Sequence, residues 1–190
     1  MINYNKKKFI FLDHCDSKIL NNNRFSSLGV IYRNYNNSNR ERELIKISKI
    51  CKRKNYKFYV SNDIRLALKF KADGIYIPSF NKNKMFLNLE KRNFNIIGSA
   101  HNQKEIHQKI IQKCTDIFLS PLFYVDKSKQ YLNIHKFNCL SSSNKVNIYA
   151  LGGINENNIK KLKLLNIKGF GGIRLFKKKP ALKKAGFLKN

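Results

Sequence analysis

Short apolar runs recur along the chain and alternate with stretches in which apolar residues follow helical spacing. Eight runs have the length of a buried strand: 9–12, 28–32, 58–60, 74–77, 94–97, 117–119, 148–151 and 169–175. Helical spacing is found at 39–53, 64–70, 103–113 and 155–166, and more weakly at 135–140. Strands that alternate with helices pair in parallel through right-handed crossovers. The pattern therefore predicts an α/β fold with parallel strands.

Eight strand–helix repeats favour a compact, closed (β/α)8 TIM barrel. The chain has 190 residues, slightly fewer than the roughly 200 at which such barrels usually start, so its loops have to be short. An open doubly wound sheet is the alternative, but no Gly-x-Gly-x-x-Gly motif follows the first strand. We predict one barrel domain over residues 1–176 and a basic C-terminal tail over residues 177–190.

A pair of glycines, Gly152 and Gly153, directly follows the seventh apolar run. Without a Cβ atom, glycine lets backbone N–H groups approach an anion closely. Such a pair more often makes a tight turn, but the Gly-rich eighth run strengthens a phosphate-binding interpretation, because barrels often bind phosphate between their last two strands. Asn155 is expected to cap a helix over 155–166.

Polar residues just past the strand ends are expected to meet at one mouth of the barrel, where such folds keep their chemistry. They are Asp13, Arg33, Asn62, Asp63, Ser99, His101, Ser120, Gly152, Gly153 and Arg174. Asp73, by contrast, is predicted to be structural, since Asp-Gly commonly makes the turn into a strand.

Charge is the most unusual feature of the composition: 39 Lys and Arg against 11 Asp and Glu give a formal net charge of +28. Charges of this size are typical of proteins that bind nucleic acids or membrane surfaces. Here the lysines are spread over nearly every predicted helix and loop, and no aromatic–basic RNA-binding motif is present. We interpret the charge as a solvated surface that attracts small phosphorylated substrates, and keep a nucleic-acid-binding protein as the disfavoured alternative.

Cysteines and histidines are scattered, without a Cys-x-x-Cys or a paired-histidine motif, which predicts reduced thiols and no metal site built from them. No run approaches the roughly 20 apolar residues of a membrane span. Residues 1–8 are polar and basic and lack the apolar core of a secretory signal. These features predict a cytoplasmic protein without a membrane partner, and leave a homo-oligomer open.

Five short motifs follow one another at the predicted strands and strand ends. They are Ser-Asn-Asp at 61–63, Ala-Asp-Gly-Ile-Tyr-Ile at 72–77, Ile-Gly-Ser-Ala-His at 97–101, Leu-Ser-Pro-Leu-Phe at 119–123 and Ala-Leu-Gly-Gly-Ile at 150–154. In this order the motifs resemble the thiamine-phosphate synthase/TenI family, over about residues 30–173. The resemblance implies a (β/α)8 transferase that joins a hydroxymethylpyrimidine pyrophosphate to a thiazole phosphate with Mg²⁺, forming thiamine phosphate and releasing pyrophosphate.

The resemblance also implies roles for single residues. Arg33 falls where the family places an arginine on the pyrophosphate, Ser99 lies near the leaving phosphate, and Lys129 is a point charge for pyrophosphate. Those three are the candidate catalytic residues. In the same way Asp63 is the candidate Mg²⁺ ligand, since a hard cation prefers carboxylates.

The candidate phosphate-binding residues are those that match the family's phosphate contacts or stand beside them. They are Gly152, Gly153, Arg174 and Asn62. The two glycines would receive the thiazole phosphate on their backbone N–H groups. Arg174 stands where the family has a serine on the last strand, and its guanidinium suits a phosphate.

The chain departs from the family pattern at several of these positions. The family's Gln-x-Arg-x-Lys reads Ile31, Arg33 and Tyr35 here, so both flanking polar residues are missing. A second Mg²⁺ carboxylate is replaced by Asn81, which weakens the expected Mg²⁺ site. The Thr-x-Thr before Lys129 is also absent.

Two other functions therefore stay open beside the synthase. One is a TenI-like thiazole tautomerase or a non-catalytic phosphate-ligand-binding barrel; Ser120-Pro121 stands where the tautomerase branch typically has Gly-His, which counts against tautomerase activity. The other is the basic nucleic-acid-binding protein. Salt-dependent retention on any polyanion would favour that class.

Overall fold

The computed structural model describes residues 6–23, 25, 27–85, 94–126, 128, 130–142 and 145–176. Eight parallel strands, each hydrogen-bonded to the next, close into a barrel as β8 pairs with β1. The strands are β1 (Lys7–Leu12), β2 (Leu28–Tyr32), β3 (Lys57–Ser61), β4 (Gly74–Ile77), β5 (Asn95–Ala100), β6 (Asp116–Leu119), β7 (Asn147–Ala150) and β8 (Gly169–Gly172). The predicted (β/α)8 barrel is confirmed.

Helices connect most of these strands on the outside of the barrel. They are α1 (Ser17–Asn22), α2 (Arg40–Lys54), α3 (Ile64–Lys69), α4 (Gln103–Ile111) and α5 (Asn133–Ser142), with short 3₁₀ helices at Ile159–Leu164 and Arg174–Phe176. No helix in the described ranges is long and apolar enough to cross a membrane.

Aromatic rings fill the inside of the barrel. Phe118 lies at the centre, with ring centroids 5.2 Å from Phe9 and 5.1 Å from Phe11, both nearly edge-to-face. Strand β8 makes room for these rings, because a Cβ atom on Gly171 would lie 2.8 Å from the Phe11 ring. The Gly-rich eighth run therefore has a packing function as well. The interior is a packed core rather than a channel.

A second core lies between the strands and the surrounding helices, and it shows why the apolar runs become strands. Alternate residues of each strand face the two cores: Ile10 and Val30 pack outward, whereas Phe9 and Ile31 pack inward. Helix α2 buries Leu44 and Ile47 in the outer core. Both sides of each strand are buried, and this explains the nearly continuous apolar runs.

One predicted α-helix has a different form in the structure. The stretch 155–166 forms a 3₁₀ helix at Ile159–Leu164 instead of an α-helix. Asn155 does not cap it; its side-chain oxygen accepts from the N–H groups of Asn157 and Asn158 in a preceding turn. Ile159, Leu162 and Leu165 recur every third residue, and this spacing suits three residues per turn.

The other predicted elements are found, although β8 ends at Gly172, before the end of the predicted run 169–175, and Arg174–Phe176 form a 3₁₀ helix. Helix α1 was not predicted, because its six residues bury only Leu20. Asp73 is structural as expected: its carboxylate accepts from the N–H of Phe58 and the ammonium of Lys57, at 2.9 and 2.7 Å. The predicted basic tail, 177–190, lies outside the described residues.

Candidate functional site

A cavity of about 960 Å³ opens at the carboxyl end of the barrel strands. Phe11, Leu151 and Ile173 give it an apolar floor continuous with the aromatic core. Six of the residues that the sequence placed at the mouth line it: Asp13, Arg33, His101, Ser120, Gly152 and Gly153. The carboxyl ends of β1, β2, β5, β6 and β7 therefore converge on one opening.

The turn after β7 is built from two glycines in the left-handed region, with φ of 91° at Gly152 and 69° at Gly153. A Cβ atom on Gly153 would lie 2.5 Å from the carbonyl oxygen of Tyr124, so no other residue fits without displacing that loop. The carbonyl of Gly153 accepts from the side-chain amide of Asn158 at 2.7 Å. The N–H groups of Gly152 and Gly153 donate to no acceptor in the described part of the chain, which keeps them available for an anion.

Arg33 lies at the end of β2 and lines the same cavity. Its Nε donates to Asp13 Oδ1 at 2.9 Å, and its guanidinium lies 5.7 Å from the centroid of the Phe11 ring. Asp13, just past β1, faces the cavity as well. Because both side chains are partly exposed, this ion pair orients Arg33 more than it stabilises the fold. A phosphorylated ligand would compete with Asp13 for the guanidinium.

His101 is held in one orientation at the cavity wall. Its Nδ1 lies 2.7 Å from the carbonyl oxygen of Ser120, and its Nε2 lies 3.1 Å from the hydroxyl of Ser79. A carbonyl can only accept, so Nδ1 carries a proton and donates to Ser120, while Nε2 shares a hydrogen bond with the Ser79 hydroxyl. His101 is thus a hydrogen-bonded residue at the mouth of the barrel.

Asn62 and Asp63, at the end of β3, contact protein groups. Asp63 Oδ1 accepts from the N–H of Leu66 at 3.0 Å, which caps α3, and its Oδ2 pairs with Arg40 Nη1 at 3.4 Å. Asn62 accepts a hydrogen bond from the side-chain amide of Asn81. Neither Asn62 nor Asp63 is part of the cavity lining. The structure therefore does not bring Asn62 and Asp63 into the cavity that the glycine turn lines, and their phosphate and metal roles stay predictions.

Ser99 lies inside the barrel on β5 and is only 5% exposed. It contacts the hydroxyl of Tyr76; burial raises the pKa of Tyr76 and the Ser99 hydrogen bond lowers it. Ser99 does not line the cavity. Its catalytic role stays a prediction from the resemblance.

Two predicted cations are not described at the side-chain level. Lys129 lies outside the described residues, and Arg174 is described only as the start of the 3₁₀ helix after β8. Their roles also stay predictions.

The residues that line the cavity and were not singled out from the sequence include Tyr124, Tyr131 and Lys136. Nothing in the sequence distinguishes Lys136, on α5, from the many other lysines of the chain. The two tyrosines lie in the loop between β6 and α5, and aromatic residues in a largely polar loop are the sequence feature that could have indicated them.

Below the Asn62–Asn81 contact lies a completely buried lysine. Lys109 Nζ donates to the carbonyls of Pro78 and Asn81 and to Gln112 Oε1, at 2.8, 2.7 and 2.8 Å. Gln112 donates back to the carbonyls of Asn81 and Asn83. Burial lowers the pKa of Lys109 to about 8, while Cys114 and Glu105 raise it. This cluster fixes the loop after β4 that carries Asn81.

A closed (β/α)8 barrel with a glycine turn and an arginine at one cavity defines a barrel suited to phosphorylated ligands. The family model described as thiamine monophosphate synthase matches residues 27–176. The chain belongs to that family.

Named relatives agree with this assignment. The chain is 32% identical over 131 residues to a thiamine-phosphate synthase of Prochlorococcus marinus subsp. pastoris, covering 67% of this chain and 37% of the relative. It is 32% identical over 128 residues to a thiamine-phosphate synthase of Pelagibacter ubique, covering 66% and 61%. The chain thus spans little more than a third of the length of the Prochlorococcus relative.

Among solved structures, the thiamine phosphate pyrophosphorylase from Pyrococcus furiosus superimposes with a TM-score of 0.71 and 17% identity, over 90% of this chain and 86% of that one. At this identity the likeness establishes the fold alone.

Proposed function

We propose that the protein is a thiamine-phosphate synthase, which joins a hydroxymethylpyrimidine pyrophosphate to a thiazole phosphate. The observation that carries the proposal is that the Gly152–Gly153 turn and Arg33 line one cavity in a chain of this family. The partners are then small phosphorylated molecules. No macromolecular partner is needed for this chemistry.

In the proposed reaction the bond between the pyrimidine methylene carbon and the pyrophosphate oxygen breaks, and the electron pair leaves with pyrophosphate. The thiazole nitrogen then donates its lone pair to the methylene carbon, giving the thiazolium of thiamine phosphate. Arg33 would hold the pyrophosphate, and the N–H groups of Gly152 and Gly153 would hold the thiazole phosphate. Between them, the apolar floor keeps water from the pyrimidine cation.

Lys136 is a further candidate for contacting the phosphate groups. It lines the same cavity from α5, so its ammonium supplies a second cation for phosphate. Among the lining residues that the structure describes, these two cations are balanced by the carboxylates of Asp13 and Asp126. Arg174 and Lys129 stay proposed contributors from their positions in the sequence.

The resemblance implies Mg²⁺, but the residues at the β3 end do not fit a magnesium site. Both oxygens of Asp63 are engaged, by the N–H of Leu66 and by Arg40. Asn62 and Asn81 contribute neutral amides that bond to each other. Among the described residues, no three His, Cys, Asp or Glu side chains come together as metal ligands would. No step is therefore assigned to a metal.

This misfit favours one second candidate, a barrel that binds phosphorylated ligands without turnover. One assay separates the two: both thiamine precursors are mixed with the protein, with and without Mg²⁺, and thiamine phosphate is measured. We expect product. Binding of the thiazole phosphate without product would establish the second candidate instead.

Arg33→Ala tests the site within the same assay. The variant removes a charge-assisted contact of about 1.5–3 kcal/mol and leaves Asp13 unpaired near the pyrophosphate. We expect kcat/KM to fall by at least about tenfold, since 1.4 kcal/mol is a factor of ten. Arg42→Ala, on the exposed side of α2, is the matched control. Equal rates for the two variants would refute the role of Arg33.

A further inference from the structure

Arg40 is a cation placed at the end of β3. It projects from the first turn of α2, donates to the carbonyl of Ser61, and pairs with Asp63. Its guanidinium lies 5.8 Å from the centroid of the Tyr32 ring, and its side chain is only 13% exposed. Its Nε is buried and has no hydrogen-bond partner within the described part of the chain. The guanidinium is thus held by the ends of β2 and β3, not by solvent.

The rest of this corner is filled with neutral groups. The Asn62–Asn81 amide contact lies next to Asp63 in the chain. The Tyr35 hydroxyl accepts a hydrogen bond from the Ser61 hydroxyl at 3.1 Å. The Tyr35 ring packs edge-to-face against Phe80, with ring centroids 5.7 Å apart. Together these groups form what we call the β3 corner: Tyr35, Arg40, Asp63, and the Asn62–Asn81 pair. None of them lines the cavity.

Buried groups hold Asn81 in this position. Its carbonyl accepts from Lys109 and from Gln112, both of which are fully buried. A metal that required Asn81 or its loop to move would have to break these bonds. Among the residues that the structure describes, the β3 corner therefore has one carboxylate, one guanidinium that neutralises it, and no second acid.

We propose that Arg40 is the resident cation of the β3 corner in place of a divalent metal ion, and that the protein binds phosphorylated ligands without a metal of its own. The proposal rests on the proposed function only for the ligand class. A dication placed beside Asp63 would face the Arg40 guanidinium, which repels it. The proposal thus departs from the Mg²⁺ role that the resemblance implies for Asp63.

Metal binding itself can be measured without turnover. The full chain is titrated with Mn²⁺ alone, and free Mn²⁺ is followed by electron paramagnetic resonance. We expect no saturable site below millimolar Mn²⁺. A stoichiometric site that disappears in Asp63→Asn would overturn the proposal.

A gain-of-site variant tests the part played by Arg40. Arg40→Gln combined with Asn81→Asp removes the guanidinium and adds a carboxylate, and we expect at least a tenfold increase in Mn²⁺ affinity. The matched control, Arg65→Gln with Asn81→Asp, makes the same charge change on an exposed arginine of α3, and should show no such increase. Equal affinities in the two folded double variants would overturn the role of Arg40.

Phosphate binding provides an independent test of the proposal. Inorganic phosphate is the probe, and its affinity is compared by calorimetry in EDTA and in Mg²⁺. We expect less than a twofold difference. A tenfold gain with Mg²⁺ that is lost in Asp63→Asn would overturn the proposal. Absence of phosphate binding in both buffers would count against the proposed function, whereas the Mn²⁺ titration decides the metal question independently.

Discussion

Replacing Lys109 by methionine tests the buried cluster under the loop after β4. Methionine keeps the length of the side chain but removes the charge and the donor. The pKa of Lys109 is lowered from 10.5 to about 8 by burial. At 1.36 kcal/mol per pKa unit, the charged lysine therefore costs about 3 kcal/mol of stability at neutral pH.

The sign of the pH dependence follows from this lowered pKa. Below pH 8 the lysine is protonated in both the folded and unfolded states, so the cost is constant. Between about pH 8 and 10.5 the unfolded chain binds more protons than the folded one, and stability rises with pH. The wild type should therefore gain about 3 kcal/mol relative to Lys109→Met across that window.

Urea unfolding of both proteins from pH 7 to 10.5 provides the measurement. Cys51 and Cys114 have pKa values raised to about 12 by burial, and they destabilise the fold above pH 9. The contribution of Cys51 cancels in the difference because both proteins contain it, whereas that of Cys114 cancels only in part, since Cys114 interacts with Lys109. The hydrogen bonds lost in the variant shift the difference by a constant. A difference that stays flat across the window would refute the lowered pKa of Lys109.

Two further predictions concern single positions. Gly153→Ala forces a Cβ atom onto a φ of 69° and toward the Tyr124 carbonyl. We expect this variant to lower the free energy of unfolding by at least about 1–2 kcal/mol in urea unfolding and to abolish phosphate binding in calorimetry. Unchanged binding would contradict the role of the turn. Asp73→Ala removes the contacts to Phe58 and Lys57 at the opposite end of the barrel. It should cost roughly 1–3 kcal/mol of stability and leave the phosphate affinity unchanged. Weaker phosphate binding would contradict the structural role of Asp73, far from the cavity.

The strands could be predicted because each is buried on both sides and reads as a continuous apolar run. The 3₁₀ helix at Ile159–Leu164 could not, since Ile159, Leu162 and Leu165 fit a period of three as well as one of 3.6. Leu164 lies outside this three-residue repeat and is 64% exposed in the structure, although it is apolar.

At the site, strand-end positions identified Arg33, Gly152 and Gly153 correctly as neighbours of one cavity. The partner of Asp63 could not be read from the chain: Arg40 is 23 residues away and sits in a charged stretch that looks like ordinary helix surface. Lys109 is similar, because nothing in an amphipathic helix distinguishes a buried lysine from an exposed one. Such pairings depend on the closed barrel, which brings distant residues together.

The central claim is that the mouth of the barrel receives a phosphate on the Gly152–Gly153 turn beside Arg33. The most direct measurement is a titration of the ¹⁵N-labelled protein with inorganic phosphate, followed by amide chemical shifts. We predict saturable shifts at Gly152 and Gly153 that are weakened in Arg33→Ala. Shifts spread over the lysine-rich surface, with none that saturate at the turn, would contradict the account.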